Sequence, residues 1–299
     1  MSKTVNNKTI SKYLKTSVLG KINDVTNISK FPNNKEKSIS FLQNKPKEKL
    51  FFSKESTVLA SKENYEILKK YKVSVIISKS PKYDLALISN KYFKKKYEYF
   101  IDKSVKIGKN CIINPSVKID RGVTIGQNVD IGKNTYIGEN VIINSNTKIY
   151  ESVKIYPGTI IGIDAFSFGY RKDAEEKYIK LPSLGGVIID SNVHIGHNCV
   201  IAKGIFDNTV IGKYTKINDL SHIGNTVSIG SNSFIMANAD ISARVKIGDN
   251  CWIAQSVCIM QGLSIGNNVQ IGMGSIVTKN IKNNVVAYGQ PAKFIRKRR

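Results

Sequence analysis

The chain is poor in the residues that build metal and disulfide chemistry. It has 4 cysteines, 3 histidines and 1 tryptophan in 299 residues. Cys111, Cys199, Cys251 and Cys258 form no CxxC pair and no cysteine/histidine cluster with zinc spacing, so no metal site is expected. The first residues, MSKTVNNKTISKYLK, lack the apolar core of a secretory signal, and no stretch approaches the roughly 20 apolar residues of a membrane span. These features, with unpaired cysteines, point to a reducing, cytoplasmic setting. Acidic residues are also scarce: 22 Asp+Glu stand against 46 Lys+Arg, a formal charge of +24. Such a surface suits polyanions, such as nucleotide phosphates, anionic lipid or an acidic carrier protein. Solubility alone would explain it equally well. No helix-turn-helix or RNA-binding signature appears, which argues against nucleic acid.

What is present is isoleucine at every sixth position. The register runs from Ile101 to Ile161, resumes at Ile189, Ile195 and Ile201, and continues from Ile211 to Ile271, ending at Val277. Period six fits neither an α-helix nor an alternating strand, but it is the hexapeptide repeat of a parallel β-helix. Two residues before each isoleucine sits a small or β-branched residue, such as Val105, Cys111, Val117, Thr135, Cys199 or Cys251. Positions i and i−2 of a strand face the same side, so both point to the axis. Glycine often follows the isoleucine (108, 126, 132, 138, 196, 212), and a corner with positive φ would explain it. Three hexads to a triangular coil supply about nine coils, stacked at about 4.8 Å. The expected fold is mainly β: a left-handed parallel β-helix of hexapeptide repeats over 101–281, preceded by a small α/β domain over 1–100 and followed by a basic tail over 282–299.

In the first domain, Thr9–Lys15 and Lys62–Tyr71 read as helices and Val73–Ser78 and Leu85–Ser89 as short buried strands. Lys91–Phe100 reads as a lysine-rich connecting helix. The β-helix register breaks twice, over about 163–188 and over Ala202–Val210. Loops leaving a rigid scaffold are where binding residues gather. Phe166, Phe168 and Tyr170 lie in the first loop, as binding residues or as a satellite core.

Motifs at these breaks carry a resemblance. Asp164–Gly169, the run Lys180-Leu181-Pro182-Ser183-Leu184-Gly185-Gly186-Val187 and the run from Gly204 to Gly212 resemble the DGFGF, KIPQLGGV and GALDDTVIG segments of the UDP-3-O-acylglucosamine N-acyltransferases. These are hexapeptide-repeat enzymes of lipid A synthesis. Ser38-Ile39-Ser40-Phe41-Leu42-Gln43-Asn44 resembles the family's uracil-holding segment, which implies base contacts for Phe41 and Asn44. Lys47 stands where the family has a second stacking tyrosine, Asn225 where it has its general-base histidine, and Gly262 where it has another histidine. The ending GQPAKFIRKRR resembles the tail of sugar acetyltransferases that use coenzyme A.

The resemblance implies a cytoplasmic homotrimeric N-acyltransferase, joining an acyl group from a phosphopantetheine thioester to the amine of a nucleotide-linked amino sugar. That is a step of lipopolysaccharide or other surface-glycan synthesis. No tightly bound cofactor is implied; acyl-CoA or acyl carrier protein would be co-substrate. Imidazole exchanges protons near neutral pH, so His222 and then His197 are the base candidates, with Asn225 orienting the acceptor; each histidine also reads as a plain surface residue. Asn218 and Asp219 would meet the sugar with the aromatic loop, and Asp219 would orient His222. Gly289, Pro291, Ala292, Lys293 and Arg296 would meet the donor's phosphates, or form a solvated basic end. The alternative is a catalytically inactive hexapeptide protein that retains nucleotide or carrier binding.

Overall fold

The computed structural model describes residues 4–31, 35–46, 50–53, 55–94 and 98–298. The chain forms two compact units, Met1–Lys96 and Tyr97–Arg299. Among the described residues no helix is long and apolar enough to cross a membrane, and no group of His, Cys, Asp or Glu is placed to hold a metal ion.

In the first unit a five-stranded sheet runs Val18–Leu19, Ser74–Ile77, Thr57–Ala60, Ser38–Leu42 and Asn27–Ile28. Its last four strands pair in parallel. The unit also holds helices α1 (Asn7–Tyr13), α2 (Lys62–Leu68) and α3 (Pro81–Ile88) and a short antiparallel pair, Val5–Asn6 with Asp24–Val25. Asn6 and Ser61 cap α1 and α2 by accepting from the backbone N–H groups of Thr9 and Asn64. The segment expected to be a strand at Leu85–Ser89 is helical instead. Pro81 opens α3, and Leu85 and Ile88, three apart, both pack into the core. A short run such as Leu85-Ala86-Leu87-Ile88 carries no period of its own, and its start signal decided it. The helix expected over Lys91–Phe100 is also not formed by the described residues of that range. One wide turn over Ser89–Phe93 ends where Lys94 turns extended, and 98–100 are not helical.

The second unit is a left-handed parallel β-helix. Three faces share its strands in rotation. Face I carries Lys118, Tyr136, Lys154, His194, Lys216, Phe234, Trp252 and Gln270 outward on successive rungs. Face II carries Val200, His222, Asp240, Cys258 and Ile276, and face III carries Val210, Ser228, Lys246 and Ser264. The register isoleucines from Ile119 to Ile271 are buried and line the axis as one core, with Val117, Val123, Cys199 and Cys251 in the smaller slot. Burying one such isoleucine contributes about 1.5–3 kcal/mol. Cys111, expected in the core, is only half-buried, because Ile101 and Ile107 beside it belong to the first, uncovered coil and are themselves exposed.

The glycines after the isoleucines do not take positive φ at most of these corners. That conformation falls two residues later, on Asn110 (φ 57), Asn128 (φ 54) and Asn140 (φ 55). Asparagine tolerates it better than most residues, and the side chains ladder, Asn110 Nδ2 donating to Asn128 Oδ1 at 3.3 Å and Asn128 Nδ2 to Asn146 Oδ1 at 3.2 Å. The glycines serve stacking. A Cβ on Gly108 would lie 2.5 Å from the carbonyl oxygen of Gly126 in the next coil, and one on Gly126 2.6 Å from the amide nitrogen of Ser145.

The basic tail is not a separate end. Val285–Gly289 joins face I beside Gln270–Ile271, and Ala292–Lys297 returns antiparallel as the edge strand. Gln290–Pro291 at the turn is cis.

Candidate active site

Both register breaks leave the corner between faces II and III, where they pack on each other. The first carries an antiparallel hairpin, Phe168–Tyr170 against Tyr178–Lys180. Its aromatics are exposed, Phe166 at 94%, so they form no satellite core. Phe166 meets Phe168 edge-on at 5.0 Å between ring centres, and Tyr170 lies 5.1 Å from Tyr178. Leu184 N–H donates to Ile205 O at 2.6 Å, joining the two loops. Lys203 Nζ meets Asp164 Oδ1 at 2.8 Å, and Lys180 Nζ lies 3.7 Å from Oδ2. Hydrogen bonding from Lys203 holds the Asp164 carboxyl below the usual carboxylate range. Asn225 occupies the same corner one coil on. It is buried, and its Nδ2 has no protein partner among the described residues.

The corner between faces I and II holds a different constellation. A cleft of about 420 Å³ is lined by Tyr156, His197, Lys216, Asn218, Asp219 and Phe234, with His194 and Met236 beside them. Asp219 Oδ1 accepts the His197 backbone N–H at 2.7 Å and lies 3.0 Å from His197 Nδ1. The backbone hydrogen bond, then the side-chain one, lowers the Asp219 carboxyl from its ordinary value. Tyr156 stacks on the imidazole at 5.2 Å and 29°. A carboxylate on Nδ1 holds the imidazole so that Nε2 is the nitrogen left to accept a proton.

Asp219 therefore orients His197, not His222. His222 lies on the flat of face II with Nδ1 2.8 Å from Asp240 Oδ1. The structure brings His197, Asn218 and Asp219 together and separates them from Asn225 and from the aromatic hairpin, which share the other corner. Phe41 is half-buried against the core of its own unit, and Asn44 is exposed just beyond that strand. Lys47 lies outside the described residues. Gly289 and Ala292 form the hairpin turn with Pro291, and Lys293 and Arg296 project exposed from the edge strand.

Tyr156, Lys216, Phe234 and Asp240 escaped sequence reasoning. A coil is 18 residues, so Asp240 falls in register with His222, and the four-residue slip of the second break makes the His197–Asp219 interval 22. Counting by coils, rather than by hexads, pairs both histidines with their carboxylates.

Models of the bacterial transferase hexapeptide match residues 101–138 and 244–279, and a hexapeptide repeat of succinyl-transferase matches 223–254. The hexapeptide chain is similar to UDP-3-O-acylglucosamine N-acyltransferase 2 of Legionella pneumophila (strain Lens), 44% identical over 88 residues, 29% of this chain and 25% of that protein. It is similar to UDP-3-O-acylglucosamine N-acyltransferase of Coxiella burnetii (strain Dugway 5J108-111), 40% identical over the same length and shares. The match thus spans a quarter of the length of these relatives. Among solved structures, UDP-N-acetylglucosamine acyltransferase of Francisella novicida superposes with a TM-score of 0.60 at 22% identity, covering 66% of this chain and 70% of that one. LpxA from Acinetobacter baumannii gives 0.60 and 22%, over 66% and 74%. At that identity the likeness is one of fold.

Proposed function

We propose that this hexapeptide protein is an N-acyltransferase of lipid A or related surface-glycan synthesis. It moves an acyl group from a phosphopantetheine thioester, acyl-CoA or acyl carrier protein, to the amine of a nucleotide-linked amino sugar. It works in the cytoplasm as a homotrimer. The observation that carries the reading is the His197–Asp219 pair at the mouth of a cleft on a transferase-hexapeptide scaffold. The named relatives support the class of reaction and the amino-sugar acceptor.

In this reading the substrate amine attacks the thioester carbonyl carbon while His197 Nε2 takes its proton. The C–N bond forms and the carbonyl oxygen becomes an oxyanion, which coil backbone N–H groups stabilise. Collapse breaks the C–S bond, and the leaving thiolate takes the proton back from His197, which regenerates the base. Asp219 keeps the imidazole oriented throughout. His222, backed by Asp240, is the second base candidate, on an open face rather than in a cleft. Phe41 and Asn44 hold the nucleotide base. Asn218 meets the sugar beside His197, while Phe166, Phe168, Tyr170 and Asn225, which sit at the other corner, meet it from a neighbouring subunit of the homotrimer. Gly289, Pro291, Ala292, Lys293 and Arg296 meet the donor phosphates.

The test is a steady-state assay of UDP-amino sugars against acetyl-CoA and hydroxyacyl carrier protein. Turnover lost in His197→Gln supports the assignment. Absence of turnover with every pair, alongside nucleotide binding in calorimetry, makes the chain a binding protein instead.

A further inference from the structure

The cleft contains a cation that no carboxylate among the described residues balances. Two other poorly exposed coil lysines find one: Lys118 lies 3.1 Å from Asp120 and Lys203 2.8 Å from Asp164. Lys216 instead donates from Nζ to the Asn192 carbonyl oxygen. The carboxylate in its cleft, Asp219, is committed to His197 at two points. Lys216 is half-buried, and burial first, with the like charge of Lys154 second, pulls it down to about 8.

Its neighbours on face I add basic groups. Lys154, His194 and Lys216 occupy consecutive rungs in register, at the sheet spacing of about 4.8 Å. Two lysines thus flank a histidine along one wall, and two of the three side chains, His194 and Lys216, line the cleft. A partly buried ammonium without a counter-ion is costly; it sheds its proton or binds an anion. A multiply charged anion bridging adjacent rungs would offset both the burial of Lys216 and its repulsion from Lys154.

We infer that the Lys154–His194–Lys216 ladder is a binding site for a phosphate or diphosphate group. Which substrate brings that group rests on the acyltransferase reading, where both the nucleotide-linked sugar and the phosphopantetheine donor carry one.

The experiment titrates inorganic pyrophosphate into the full chain by calorimetry. Wild type is expected to bind, Lys216→Met to bind at least about tenfold more weakly, and Lys216→Arg to retain binding. Lys246→Gln, exposed on face III, serves as the control and should match wild type. Wild type that does not bind at millimolar pyrophosphate, or Lys216→Met that binds like wild type, overturns the proposal. A thermal melt of Lys216→Met close to wild type shows that weaker binding is not misfolding. This titration stands even if no acyl transfer is found. Where transfer is measurable, a raised KM for the nucleotide sugar in Lys216→Met assigns the ladder to the acceptor, and a raised KM for the donor assigns it to the donor. Both constants unchanged would count against the site.

Discussion

Asp219 Oδ1 grips His197 at two points, its backbone N–H at 2.7 Å and its Nδ1 at 3.0 Å, across one coil boundary. The first contact positions the main chain of the corner and the second sets the ring. Asp219→Asn keeps the size but offers an amide that can donate to Nδ1 and turn the ring's proton to the wrong nitrogen. The expected result is a fall in kcat of about 10²-fold or more, the scale of a lost general base, with little change in KM. His197→Gln should fall as far. His222→Ala should keep most of its activity; a collapse there would move the base to the His222–Asp240 pair.

Glycine substitutions separate two roles that look alike in sequence. Gly126→Ala would press a Cβ to 2.6 Å from the backbone of Ser145. Overpacking of this kind costs about 1–3 kcal/mol. Gly262 has φ +74 with nothing within 4 Å of an added Cβ. Asparagine holds positive φ at many of the other corners, Asn232, Asn238 and Asn250 among them. Gly262→Asn should therefore leave the melting temperature unchanged or raise it. Differential scanning calorimetry of the two variants checks both signs.

The solenoid was legible because one requirement, an isoleucine on the axis, repeats every six residues and overrides local preference. The reason for the neighbouring glycines was not, because their constraint comes from the coil above, 18 residues away in the regular stretches. The same distance hid Asp240 from His222, and the slip at Ala202–Val210 hid Asp219 from His197. Lys216 looked like any other outward lysine. Its distinction is partial burial in a cleft whose carboxylate is committed to His197, which only the folded structure reveals. Leu85–Ile88 misled because four apolar residues fit a strand or a helix equally well until Pro81 is read as a helix start.

The Asp164–Lys203 contact ties the two register-break loops together, and it should carry a signature in acid. The folded carboxyl sits below its ordinary value because Lys203 stabilises the charged form. The folded state therefore binds fewer protons than the unfolded one in this range. The contribution is full above the unfolded value of about 4 and is lost as pH falls through the lower folded value. Asp164→Asn should narrow the gap in melting temperature to wild type as pH drops from about 5 to about 2. Asp164 is about half exposed, so the effect is expected to be modest and reduced by salt. A gap that widens in acid would refute the assignment.

Thiol reactivity should follow the same geometry. Cys199 and Cys251 are buried, and burial raises both thiols above the ordinary value. Each is turned inward on a carbonyl, Cys199 Sγ donating to Asn218 O and Cys251 Sγ to Gly266 O, both at 3.1 Å. Cys258 is exposed on face II. Iodoacetamide on the native protein should label Cys258 first, Cys111 more slowly, and Cys199 and Cys251 only after unfolding. Peptide mass spectrometry over time gives the order, and early labelling of Cys199 would contradict the closed axis.

The two last arginines of the described chain should divide stability from donor binding. Arg298 Nη1 donates to the carbonyl oxygens of Asn250 at 2.7 Å and Val269 at 2.9 Å, tying the returning edge strand to two coils. Charge-assisted bonds of this kind contribute about 1.5–3 kcal/mol, so Arg298→Ala should lower the melting temperature by several degrees. Arg296 is exposed, and its Nη1 donates to the carbonyl oxygen of the adjacent Lys297 at 3.1 Å, a contact within its own strand. Arg296→Ala should leave the melting temperature unchanged. If the edge strand meets the donor's phosphates, the same variant raises the KM for the thioester donor several-fold and leaves the acceptor's KM alone. An unchanged donor KM would remove the tail from the site and leave Arg298 as a structural clamp.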